Sequence, residues 1–94
     1  MENIYNEVEN FLNEILHAFE SFLFIKVEQK TDIESIRKFI KESSNIFDLK
    51  MDSYLSRISL DSNLNNKYQQ ALVLEKQLNS KYSISYNLGY TKII

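Results

Sequence analysis

Residues 4–23 read IYNEVENFLNEILHAFESFL, and the spacing of their apolar side chains decides the fold. At 100° per residue, Ile4, Val8, Phe11, Leu12, Ile15, Phe19, Phe22 and Leu23 fall within about 120° of arc, the stripe of an amphipathic helix. Such a helix buries one face against elements of the same kind. Further along, proline is absent and Gly89 is the only glycine, so almost nothing punctuates the chain as hairpins require. That argues against an all-β fold.

Working outward, Phe22-Leu23-Phe24-Ile25-Lys26-Val27 is apolar on every side. Two readings remain open there: a helix end covered all round, which is favoured, or a short strand pairing with Tyr82 to Tyr86 in an α+β fold. Phe24 projects opposite the main stripe, beside His17 and Ser21, and an exposed Phe at that place would belong to an interface. Next, Thr31 with Glu34 three residues on forms a capping box that starts a second helix. Its stripe of Ile33, Ile36, Ile40, Phe47, Met51, Tyr54, Leu55 and Ile58 keeps phase through Ser43-Ser44-Asn45. One long helix fits that pattern, and so do two shorter ones. Asn45 as a cap, with Asp48 in the following first turn, favours a break.

A second capping cluster, Asp61-Ser62-Asn63, precedes the last stripe of Leu64, Tyr68, Ala71, Leu78 and Tyr82. From Ser83 the chain turns to alternating β-branched residues and reaches Gly89, which ends the helical pattern. The expectation is an all-α fold: a small antiparallel up-and-down bundle of three to four helices, one domain over residues 1–94, with a non-helical tail over 83–94.

Composition bounds the chemistry. The chain has no cysteine, which excludes disulfides, thiolate nucleophiles and Cys-ligated metal clusters. Its net charge is −2, and only Arg37 and Arg57 are arginines, which argues against a nucleic-acid footprint. Met1 to Glu20 carries five acids and no Lys or Arg, whereas Asp61 to Ile94 carries four lysines against Asp61 and Glu75. Antiparallel first and last helices would bring these opposite charges together. No apolar run is long enough to span a bilayer, and the start lacks a signal-peptide pattern, so a cytoplasmic location is expected.

No catalytic constellation emerges. His17 is the only histidine and lies on the polar face of the first helix without an orienting partner, so it reads as a solvated side chain. Glu14-x-x-His17 matches half of a di-iron bundle motif, but it points outward and has no second copy. Phosphate-binding loops need glycines that are absent. The expectation is a chain that is not an enzyme and takes no cofactor or metal. Glu75 lies near the middle of the last stripe, where a buried carboxylate must be paired or protonated; the favoured reading turns the stripe toward Leu74 and Leu78 and leaves Glu75 at its rim. Tyr82, Tyr86 and Tyr90 recur every four residues and either meet a partner or pin the tail to the bundle.

A cysteine-free bundle carrying Tyr54-Leu55-Ser56-Arg57-Ile58, then a final helix, then Ser83-Ile84-Ser85-Tyr86-Asn87-Leu88-Gly89-Tyr90 resembles the immunity proteins of class II bacteriocins. The resemblance covers the second half of the chain. It implies an antiparallel four-helix bundle in the producer's cytosol that engages a membrane receptor carrying the bacteriocin. Leu78, Tyr82, Tyr86, Leu88 and Tyr90 would then hold the specificity. The alternative expectation is a small helical interaction protein acting as an oligomer, such as a secretion partner, phage inhibitor or regulatory subunit, motivated by Phe24, Ile25 and Val27 outside the main stripe.

Overall fold

Three helices follow one another along the chain: α1 over Ile4–Phe24, α2 over Lys30–Leu55 and α3 over Ser62–Tyr82. They belong to a computed structural model that describes residues 3–26 and 30–82, with side chains from residue 32 onward in the second segment. Among the described residues there is no strand. The expected tail, with Tyr86, Leu88 and Tyr90, lies outside them.

Local causes are visible at both ends of α1 and at the start of α3. Asn3, in extended conformation, accepts a hydrogen bond from the Tyr5 N–H at 2.8 Å on its side-chain oxygen, and Glu7 places a negative charge in the first turn of α1, where the helix dipole favours it. The same helix stops at Phe24, after which Ile25 adopts φ −66° and ψ 134°. Of the two readings of the 22–27 segment, the helical one therefore holds as far as Phe24. Asp61 caps α3 through a 2.8 Å bond from the Leu64 N–H to its Oδ1, as the cluster at 61–63 implies. The start of α2 at Lys30 puts Thr31 inside the first turn rather than ahead of it.

The main correction concerns Ser43-Ser44-Asn45, where α2 continues unbroken. Isolated Ser and Asn side chains compete for local backbone groups and favour caps. Here Ser44 is fully buried and its hydroxyl donates to the Glu75 carboxylate of α3, so it is engaged by another helix instead. Among the described residues the bundle therefore has three helices; the four-helix form that the bacteriocin-immunity resemblance implies is not seen among them.

Cross-helix bonds fix the directions. Asn63 donates to Glu9 at 3.3 Å and Lys67 to Asn13 at 2.8 Å near the starts of α3 and α1, while Tyr82 Oη donates to the Phe22 carbonyl at 2.9 Å at their ends. Those two helices thus run parallel and pack most closely of any pair. Between them in sequence, α2 runs the other way: Tyr54 near its end bonds Glu7 at 3.0 Å, and Arg37 near its start donates to the Tyr82 carbonyl at 2.8 Å. Because the first and last helices are parallel, the acidic start does not face the basic end. Lys81 instead serves α1 by donating to the Leu23 carbonyl and, at 2.9 Å, to that of Ile25, a cation on terminal carbonyls that the helix leaves unpaired.

The core is the meeting of the expected stripes. Val8, Phe11, Leu12, Ile15 and Phe19 of α1 close on Ile40, Phe47, Met51 and Tyr54 of α2 and on Leu64, Ala71, Leu78 and Tyr82 of α3, all buried. Phe19 and Phe47 meet edge-on with ring centres 5.7 Å apart, and Phe47 lies 5.9 Å from Tyr68, so one aromatic chain crosses all three helices. Leu55, counted in the second stripe, stands 41% exposed at the end of α2. Ile58, beyond the helix, still packs on the core.

Candidate functional site

His17 and Glu14 are both exposed on α1, which matches their placement on its polar face. Among the described residues no three His, Cys, Asp or Glu side chains come together to hold a metal ion. No helix there is long and apolar enough to cross a membrane.

The one concentrated polar cluster lies in the seam between α2 and α3. Ser44, Asp48 and Asp52 follow each other at intervals of four along α2, so they share one side of the helix. On α3, Tyr68 and Glu75 sit seven residues apart, two turns along one face. Ser44 donates its hydroxyl to Glu75, and a further side-chain hydrogen bond joins Glu75 to Asp48. A bond between two carboxyl groups needs a proton between them. Burial is the largest influence on Glu75 and raises its pKa from 4.5 to about 7, with the Asp48 charge and hydrogen bond adding to the rise and the Ser44 bond opposing it. Asp48 is raised as well, by burial first, with the Glu75 hydrogen bond opposing the rise and the Asp52 charge adding to it. Tyr68 is held protonated by burial and then by the charges of Asp52, Asp48 and Glu75.

This overturns the placement of Glu75 at the rim of its stripe: it is half-buried and bound to α2. One helical turn on, the side-chain oxygen of Asn79 is buried with no hydrogen-bond partner among the described residues. The cluster is built from two acids whose pKa values are raised and from a Ser44 hydroxyl bonded to Glu75. Its effect is to couple α2 to α3.

The outer surface carries a different kind of feature. Phe24 is 80% exposed, Leu49 71%, Phe39 57% and Ile46 50%. Phe24 stands off the main stripe, as its spacing implies. Leu78 and Tyr82, named from the sequence as partner-facing, are instead core side chains at 0% and 4% exposure, and offer no surface in the folded chain. Phe39, Ile46 and Leu49 were not singled out by the sequence reading, although their spacing of seven and three places them on one face of α2, away from the core stripe. A shallow groove of about 400 Å³ runs along α3 beside Glu20, lined by Asn66, Gln69, Gln70, Val73 and Leu74.

In class, the described residues form an up-down-up bundle of three helices with an acidic seam between α2 and α3 and apolar side chains exposed on the outer face of α2. No protein-family model, curated protein or solved structure matches it.

Proposed function

We propose that this chain is a non-catalytic protein-binding module of the bacteriocin-immunity type, which protects a cell by engaging a receptor and bacteriocin complex from the cytosolic side. The observation that supports the reading is Phe24, 80% exposed at the end of α1. Tyr82, the last residue of α3, bonds the Phe22 carbonyl two residues before it. The chain that continues from Tyr82 into Tyr86, Leu88 and Tyr90 therefore begins beside Phe24. Aromatic side chains such as Phe24 offer large contact area at low entropic cost. Leu78 and Tyr82 contribute from behind, by holding the end of α3 in place.

The test is to express the chain in cells sensitive to small cationic bacteriocins and challenge them with a broad panel. Protection that Phe24→Asp removes, with an unchanged melting temperature, is the expected result. Failure of the wild type to protect against any member refutes the proposal. A second reading, a helical interaction protein acting as an oligomer, is supported by the exposed side chains of α2.

A further inference from the structure

We propose that the outer face of α2 is the contact between two copies of this chain, packed antiparallel about a twofold axis near Ser44. The proposal deepens the oligomer reading and rests on it; the bacteriocin-immunity reading neither requires nor forbids it.

The face is defined by helical spacing. Phe39, Glu42, Ile46 and Leu49 repeat at intervals of three, four and three residues, the a and d pattern of a helix seam. Ser35 and Ser53 extend the same line at its two ends, and all of these side chains are exposed. The core stripe of Ile40, Phe47, Met51 and Tyr54 is centred about 130° further round the helix, and because the outer side chains are exposed, a partner can meet them with α1 and α3 in place.

Charge selects the occupant and the orientation. In an antiparallel pair the layers are Phe39 against Leu49 of the second copy and Glu42 against its Ile46, with each layer repeated by symmetry. The flanking positions then bring Lys38 opposite Asp52 of the second copy, twice, and both residues are exposed in the single chain. A parallel pair would set Glu42 against its own counterpart, and like charges face to face are unfavourable. The sequence of this one face therefore complements itself in one direction only. Lys50, on the flank toward α1, already stands over the Phe11 ring at 5.4 Å and is not needed by the contact.

Area sets the strength. Phe39, Ile46 and Leu49 are 57%, 50% and 71% exposed, which at about 150–200 Å² per large apolar side chain leaves roughly 300 Å² of apolar surface per copy. Two copies with their flanking polar side chains hide on the order of 1,000 Å², the lower edge of specific interfaces. Glu42 weakens the contact further, because its carboxylate loses water opposite an apolar partner. The dimer is expected to be reversible, with a dissociation constant on the order of tens of micromolar.

Sedimentation of the full chain from about 5 μM to about 1 mM tests this, with far-ultraviolet circular dichroism on every variant to show that it folds. The wild-type mass is expected to rise with concentration from 11.2 kDa toward twice that value. Leu49→Asp should weaken association about tenfold or more, whereas Glu42→Leu should tighten it about tenfold. Lys38→Asp should weaken it severalfold, and adding Asp52→Lys should restore it. Val73→Ser, on the exposed side of α3, should change nothing. A wild type that is monomeric at every concentration overturns both the proposal and the oligomer reading. Self-association that ignores Leu49→Asp and Glu42→Leu overturns the α2 face alone.

Discussion

Replacing Glu75 with Gln should make the protein more stable at alkaline pH and remove a pH dependence that the wild type carries. The folded chain holds the Glu75 proton up to about pH 7, whereas an unfolded Glu releases it near 4.5. Between those values the native state binds more protons than the unfolded state, so stability falls as pH rises through the window and levels off above it. Asp48, also raised, acts in the same direction. At about 1.4 kcal/mol per pKa unit the full shift corresponds to a ceiling of about 3 kcal/mol. Glu75 is only half-buried, and solvent screening reduces the effect to about 1–2 kcal/mol. For a chain of this size that is a melting temperature about 4–12 °C lower at pH 8 than at pH 5. Glutamine keeps the shape, accepts from Ser44 and donates to Asp48 without a charge. The variant should match the wild type at pH 5 and exceed it at pH 8. Thermal unfolding followed by far-ultraviolet circular dichroism reads both curves; a flat wild-type profile, or an equal slope in Glu75→Gln, refutes the shared proton.

Other substitutions test the packing and the caps. Ile40→Ala, at a fully buried site, should cost about 2–5 kcal/mol in urea unfolding. Asp61→Ala removes the acceptor of the Leu64 N–H and should cost about 1 kcal/mol by the same measurement. Tyr54→Phe loses the hydroxyl bonded to Glu7 but keeps the ring, for a loss of about 0.5–1.5 kcal/mol. Phe24→Asp, at an 80% exposed site, should change stability by less than about 0.5 kcal/mol, so a large loss would show that Phe24 belongs to the core.

The elements that could be read along the chain were those whose causes are local. The α1 stripe from Ile4 to Leu23 needs only its own spacing, and Asp61 caps a helix that starts at the next residue. What escaped depends on partners far away in sequence. Ser44 looks like part of a helix break until Glu75, thirty-one residues on, takes its hydroxyl. Glu75 in turn looks like a rim residue until Ser44 and Asp48 are placed opposite it. The parallel course of α1 and α3 follows from the same point, since an unbroken α2 makes the number of helices odd. Phe39, Ile46 and Leu49 were visible as a second spacing, but the stronger core stripe on the same helix masked them.

The last turn of α3 fastens both other helices: Lys81 reaches the end of α1, and Tyr82 bonds Phe22 through its hydroxyl and Arg37 through its carbonyl. On the ribosome this clasp is synthesised after every element it secures. Throughout translation of α1 and α2 their greasy stripes have no third rod to close over them. The side chains that fasten this end of α1 and α2 are therefore the last of the described residues to be made, and the clasp can close only once α3 is complete.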